Sequence, residues 1–268
     1  QFEAGLEAYW EAFHLLSALP AQQVIPELRE ALLTQFASHL LGAKDFNAVA
    51  QLLHSPLAKA QGLSASLHFS LGLALMELKQ FTDAAEQMGQ CLSKRNQPAL
   101  TPGNKEIRHA APRHCLAVCL KQLKQTNEAA KAFAEARAED PNSRPVCFDY
   151  VRFLVEQDQP VEALKLLHQM IPGQPEDAEV WLLGGQIALG RPEFLEFARD
   201  WTGEAIQRLP QHPQVILQRA EALLLTGDTE ASLALWGRAA SPTSARHLAA
   251  RLICEMDCGR AAGLAGVE

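Results

Sequence analysis

Residues 129–141 read AAKAFAEARAEDP, and the spacing of their small, aromatic and proline residues decides the fold. Alanine, lysine and glutamate are strong helix formers, and Pro141 ends the helix because its ring carries no amide hydrogen. The same landmarks recur along the chain, since Pro175 lies 34 residues after Pro141 and Pro210 lies 35 residues after Pro175. Small residues keep the same period, apart from two insertions, at Ala84, Ala129, Ala163, Ala198 and Ser232. The segment is therefore one unit of an internal repeat.

Each period contains two helical stretches separated by a short polar break. In the unit at 110–143 the stretches are HCLAVCLKQLK and EAAKAFAEARAED, and apolar residues recur in both at steps of three and four. Hydrophobic residues make up 48% of the chain but aromatic residues only 6%, and alanine and leucine dominate, which favours helix over sheet. No run rich in valine and isoleucine alternates as a strand would. The sequence predicts an all-α fold of stacked antiparallel helix pairs.

Small residues mark the places where the two helices of a pair are expected to approach closely. They are Gly72, Ala117, Gly185 and Ala220 on the first helices, facing the recurrent alanines on the second. Phe133, Leu167 and Trp236 are expected to fill the larger gap behind them, with Thr202 at the equivalent place. This pattern resembles the tetratricopeptide repeat family, whose motif is W-x2-LG-x2-Y followed by an alanine, F-x2-A and a proline. The resemblance implies an alpha-alpha superhelix, or solenoid, of about six units plus terminal helices.

The expected domain organisation follows the period. The repeat units are placed at 29–64, 65–98, 110–143, 144–177, 178–212 and 213–246, with an insertion near 97–109. Residues 1–28 are expected to form an N-terminal capping helix or half-repeat, and 247–268 a partial C-terminal repeat or cap. Because CGRAAGLAG at 258–266 lines up with TGDTEASLA at 226–234, we expect the native protein to continue beyond Glu268.

The resemblance also implies where a partner would bind. In this family, positions 2, 5, 9 and 12 of each first helix face a shared concave surface, which suits a peptide or a helix. The groove residues selected in this way are Phe69, Leu73, Met76, His114, Val118, Lys121, Phe148, Arg152, Leu182, Gln186, Leu217 and Glu221. The same positions include Val155, Glu179, Leu189, Gln214 and Leu224. These side chains either line a largely apolar groove or only pack against neighbouring helices.

The sequence predicts a protein–protein interaction scaffold, with two alternatives. Members of the family that clamp a C-terminal carboxylate use lysine, asparagine and arginine at set groove positions, and here only Arg152 could serve. The first alternative is the repeat region of a larger bacterial enzyme, such as a glycosyl-, sulfo- or methyltransferase, whose catalytic domain lies outside this chain. The second is a self-assembly module that forms homo-oligomers through exposed repeat ends. A cytoplasmic location is expected, and the start at Gln1 leaves a periplasmic one open.

No motif for catalysis or for a cofactor is present. The chain contains no GxxxxGK, HExxH or GxSxG sequence, so we expect neither an enzyme nor a cofactor or metal. Cys115 and Cys119 are four residues apart, as are Cys254 and Cys258, which places each pair on one helix face. Without a second matched pair this is not a zinc spacing, and we interpret these cysteines as packing residues.

The charge pattern limits the classes of partner. A net charge of −7 argues against a broad basic face for nucleic acid, and no apolar run reaches the roughly 18–20 residues of a membrane span. The exception is a basic segment around the insertion, with Lys94, Arg95, Lys105, Arg108 and His109 against Glu106. It is interpreted either as a solvated connection or as a loop that contacts an acidic partner.

Overall fold

The computed structural model describes residues 2–20, 23–60, 62–98, 100, 105–238 and 245–258, which are helical apart from turns and contain no strand. The helices are α1 (Phe2–Ser17), α2 (Pro26–Gly42), α3 (Phe46–His54), α4 (Pro56–Lys59), α5 (Ala65–Glu77), α6 (Phe81–Lys94), α7 (Ala111–Gln122), α8 (Thr126–Glu139), α9 (Arg144–Glu156), α10 (Pro160–Met170), α11 (Ala178–Leu189), α12 (Leu195–Arg208), α13 (Pro213–Leu225), α14 (Thr229–Arg238) and α15 (Ala245–Asp257). The chain forms two compact units, Gln1–Tyr150 and Val151–Glu268, and the division falls inside α9.

Helices that follow one another along the chain form antiparallel pairs, because the turns between them are short. In the first unit, α5 packs against α6 and also against α2 and α3, while α7 packs against α8 and α6. In the second unit, α11 packs against α12 and α13, and α13 packs against α14 and α15. The predicted all-α fold of stacked helix pairs is confirmed. The exact limits of the repeat units stay a prediction, because helix bounds alone do not fix where a repeat begins.

The turn inside most pairs uses the same backbone conformation. Its central residue has a positive φ of 58–60° at Lys44 (59°), Lys79 (60°), Lys124 (59°) and Asp158 (58°), and of 87° at Gly227. After α5, the amide of Lys79 donates to the Met76 carbonyl and that of Gln80 to the Leu75 carbonyl, both at 2.9 Å. These two bonds satisfy carbonyls at the helix end, as in a Schellman motif. The turn from α11 to α12 instead contains a 3₁₀ segment, Pro192–Phe194.

Gly72 lies against α6, as expected for a small residue within the pair. A Cβ atom there would lie 2.7 Å from Cε of Met88, so a side chain at this position would require the flexible Met88 side chain to move. The predicted gap-filling residues Phe133, Leu167 and Trp236 are all buried. The N-terminal helix adds to the first core, since Tyr9 stacks on Phe36 with ring centroids 5.6 Å apart.

The unit at 178–212 departs from the expected packing. Trp201, not Thr202, fills the gap, and a Cβ atom on Gly184 would lie only 2.3 Å from its ring. Gly185, expected at the contact within the pair, faces Gln218 on α13, whose Oε1 atom lies 2.4 Å from a Cβ built there. The predicted close contact at Gly185 was wrong by one residue, because the large side chain of this unit, Trp201, lies one position earlier than its counterparts in other units. Thr202 is buried and donates its hydroxyl to the Ala198 carbonyl at 2.7 Å.

Some predicted features lie outside the described residues. The partial repeat predicted at 258–266 lies outside the described residues from position 259 onward. Within the insertion, residues 105–108 form a 3₁₀ turn whose Ile107 is buried.

Candidate partner-binding groove

A groove of about 430 Å³ lies in the second unit between α9 and α11. We call it the α9–α11 groove and define it by Arg152, Val155, Glu156, Leu183, Gln186, Ile187, Gly190 and Arg191. Its apolar side chains are half-buried or buried, whereas Arg152, Glu156 and Gln186 are exposed. The groove therefore combines an apolar base with a polar margin of both charges, which suits a protein segment more than a small apolar ligand.

Ion pairs fix the positions of the arginines at this margin. Arg191 pairs with Asp158 in the α9–α10 turn, and its second guanidinium nitrogen lies 3.6 Å from Glu193 Oε1. The hydrogen bond to Asp158 raises the pKa of Arg191. Arg152 lies 3.6 Å from Glu179 on α11. Pairs this exposed contribute little to stability. They place the two guanidinium groups beside the groove.

The structure brings together three residues that the repeat positions select, Arg152, Val155 and Gln186. Leu182 lies next to Leu183 on α11 and is half-buried, and its carbonyl accepts a hydrogen bond from Gln218 Nε2 at 2.9 Å. The binding role of these residues stays a prediction, but their positions fit it.

Five of the selected residues in the first unit are half-buried. Leu73 and Met76 are half-buried against the core cluster around Cys91. His114 donates from Nε2 to Asp149 Oδ2 at 2.9 Å, which ties α7 to the start of α9. Val118 and Lys121 are half-buried on α7.

Five of the selected residues are buried within the chain, which corrects the expectation of an exposed lining. One of them, Leu189, lies in a core cluster with Ala188 and Ala198. Phe69 packs in the core cluster with Met88 and Ile107, and Phe148 lies under the Arg144 guanidinium, 4.9 Å from its ring centre. Phe69 is 5% exposed and Phe148 is 4% exposed. Their physical role is packing between helices, the alternative interpretation of the sequence.

The other two buried residues are covered by the C-terminal helix. Leu217 shares a core cluster with Ala250 and Cys254 of α15. Glu221 is buried, and its Oε2 atom lies 4.0 Å from Nε2 of His247 on the same helix. The α13 face expected to continue the groove is therefore occupied by α15.

Sequence reasoning missed Glu156, Leu183, Ile187 and Arg191. Leu183 and Ile187 are four residues apart and therefore share one helix face, about 100° around α11 from the selected Leu182 and Gln186. That spacing was a usable signal. Arg191 follows α11 in a turn, where no helix position could have selected it.

Three cysteines of α6 and α7 have thiols that burial makes harder to ionise. Burial raises the pKa of the Cys115 thiol to about 12 and those of Cys91 and Cys119 to about 11. A thiol must lose its proton to act as a nucleophile or metal ligand. Within the described part of the chain, no group of three histidine, cysteine or acidic side chains could hold a metal ion. Across the same residues, no helix is long and apolar enough to cross a membrane.

Comparison with known families gives one match. Residues 120–187 match the family model described as tetratricopeptide repeat, and this range runs from the end of α7 into α11. None of the curated protein sequences compared with the chain matches it.

Solved structures share the fold at low sequence identity. A tetratricopeptide repeat protein from Parabacteroides merdae has a TM-score of 0.52 at 12% identity, covering 87% of this chain and 88% of its own. YrrB, described as a repeat protein of this kind with an unusual peptide-binding site, has a TM-score of 0.51 at 18% identity, covering 74% and 97%. MamA has a TM-score of 0.50 at 15% identity, covering 66% and 94%.

Proposed function

We propose that the chain is an interaction scaffold, because residues 120–187 match the tetratricopeptide repeat model and the described helices outside this range also form pairs. Its ligand is an extended or helical segment of another protein, and the α9–α11 groove is the place of contact. Peptide binding by YrrB is described for that protein alone, but it is the kind of function that this fold supports.

The observation that carries the proposal is the grouping of Arg152, Val155 and Gln186 in one groove. The spacing of the repeat in the sequence selects these three residues without reference to the three-dimensional structure. Val155, Leu183 and Ile187 offer an apolar contact, and the exposed polar residues around them are positioned to hydrogen-bond a bound backbone. A segment with one apolar side chain between polar neighbours fits this surface. Micromolar affinity, about −8 kcal/mol, is expected.

The proposal is tested by selecting peptides from a random display library against the chain. Dissociation constants of the selected peptides are then measured by fluorescence anisotropy for the wild type and for Val155→Asp. A charge placed in the apolar base must be desolvated when the peptide binds, so affinity is expected to fall at least tenfold, about 1.4 kcal/mol. Gln186→Arg changes an exposed side chain of the same groove and provides a second variant if Val155→Asp lowers stability.

Val161→Asp is the matched control. Val161 lies in the first turn of α10, is 48% exposed and does not line the groove. The same substitution there should leave peptide affinity unchanged. Selected peptides that bind both groove variants as tightly as the wild type would remove the α9–α11 groove from the account.

A further inference from the structure

A cavity of about 650 Å³ lies in the first unit, separate from the α9–α11 groove. Residues from α2, from the start of α5, from the end of α6 and from the 3₁₀ turn Lys105–Arg108 line it. Its volume falls within the range of roughly 300–1,000 Å³ that is usual for small-ligand sites. The insertion that breaks the repeat period therefore contributes part of the lining of this cavity.

The cavity is strongly basic on an acidic chain. Its lining contains five lysine or arginine residues, Arg29, Lys94, Arg95, Lys105 and Arg108, and a single carboxylate, Glu30. The whole chain carries a formal net charge of −7. A concentration of positive charge against that background favours a negatively charged ligand.

Lys94 is held in place by two acceptors. Its ammonium donates to the Leu63 carbonyl and to His68 Nε2, both at 3.0 Å. His68 donates from Nδ1 to Gln87 Oε1 at 2.8 Å, which leaves Nε2 as the acceptor. Burial lowers the pKa of His68, and Lys94 lowers it further, against the opposing effect of Gln87. Because an ammonium has three donors, Lys94 keeps one for a ligand.

Of the other four cations, Arg29 on α2 is buried, and the remaining three differ in whether a carboxylate compensates their charge. Arg95 binds Glu139 through two bonds of 2.7 and 3.1 Å, so its charge is compensated. Lys105 and Arg108 are exposed on the 3₁₀ turn at the edge of the cavity. These two residues and Lys94 supply the positive charge that a ligand would meet.

The N-terminus of α5 adds main-chain donors to the same space. Ser64 caps this helix by accepting from the Leu67 amide at 3.3 Å, and Ala65 and Ser66 of the first turn line the cavity. The first amides of a helix have no acceptor within it and carry partial positive charge. Such amides bind phosphate oxygens in many proteins.

We propose that this cavity binds a small molecule that carries a phosphate or pyrophosphate group. Donors from three elements, α5, α6 and the 3₁₀ turn, line this space, and several donors suit the many oxygens of a phosphate better than the two of a carboxylate. The volume of the cavity suits a small ligand better than a long acidic segment of a protein. The site lies in the first unit, and its function is independent of the peptide groove.

The test is isothermal titration calorimetry of the whole chain at low ionic strength with inorganic pyrophosphate, ADP and citrate. Pyrophosphate or ADP is expected to bind with a dissociation constant below about 1 mM, and citrate at least tenfold more weakly. The double variant Lys105→Gln/Arg108→Gln changes only exposed side chains and should weaken phosphate binding at least tenfold. Lys165→Gln/Arg208→Gln removes the same two kinds of charge away from the cavity and should change nothing.

Three results would overturn the proposal. They are no heat from either phosphate compound, equal affinity for citrate, and equal binding by the Lys105→Gln/Arg108→Gln variant. A phosphoserine peptide is titrated in parallel. If it binds tenfold more tightly than both pyrophosphate and ADP, the assignment to a small molecule is wrong.

Discussion

Ser232 shows how a departure from the repeat pattern is explained by a single hydroxyl. It stands where the other units have alanine, and it is fully buried. Its Oγ donates to the Ala220 carbonyl at 2.7 Å and accepts from Trp236 Nε1 at 3.0 Å and from Cys254 Sγ at 3.3 Å. A buried polar residue is tolerated because each partner is satisfied. The hydroxyl thus links α13, α14 and α15.

Replacing Ser232 with alanine should destabilise the protein although alanine is the usual residue at this position. The change leaves the indole nitrogen of Trp236 buried without its acceptor, and the free energy of unfolding is expected to fall by about 1–3 kcal/mol. Urea denaturation followed by circular dichroism measures it. Ser93→Ala, at an exposed serine on α6, should stay within about 0.5 kcal/mol. An equal effect of both substitutions would show that the buried hydroxyl contributes nothing specific.

At the scale of elements, the turns inside the pairs are as regular as the helices. Lys44, Lys79, Lys124 and Asp158 adopt a left-handed conformation that costs an L residue about 1–2 kcal/mol, and only Gly227 meets it without strain. Two backbone hydrogen bonds per turn, like those after α5, offset that cost. The helix pair is therefore defined by its turn geometry as well as by its apolar contacts.

Two glycines with open space around them should respond in opposite ways to alanine. A Cβ at Gly227 or at Gly89 would meet no atom within 4 Å, but Gly227 has a φ of 87° whereas Gly89 lies inside α6. Gly227→Ala should lower the free energy of unfolding by about 1 kcal/mol through backbone strain. Gly89→Ala should raise it by about 0.5–1 kcal/mol through helix propensity. Denaturant midpoints provide the measurement, and shifts of the same sign would contradict the explanation.

The 34-residue period was enough to predict the helix pairs, because close packing of small residues recurs wherever two helices cross. It could not predict that Trp201 replaces Thr202 as the gap-filling side chain, because the fit of Trp201 depends on Gly184 on the neighbouring helix α11. It also could not show that α15 covers Leu217 and Glu221, because a residue's position in the repeat does not determine how closely the next helix packs against it. Local spacing determines secondary structure, whereas exposure depends on which later element packs on top.

At the scale of the whole molecule, each compact unit offers one candidate site of different chemistry. The first unit holds the basic cavity beside the insertion, and the second holds the α9–α11 groove of mixed charge. Neither depends on a catalytic motif. We expect a partner segment to contact the groove formed by first helices of the second unit.

The most direct test is photo-cross-linking from a benzophenone amino acid placed at Gln186, an exposed groove residue on α11. A peptide selected against the chain should cross-link efficiently there, and excess unlabelled peptide should suppress the product. The same probe at Gln90, exposed on the second helix α6, is the control and should give little product. Cross-linking at Gln90 but not at Gln186 would place the peptide on another surface and contradict the claim.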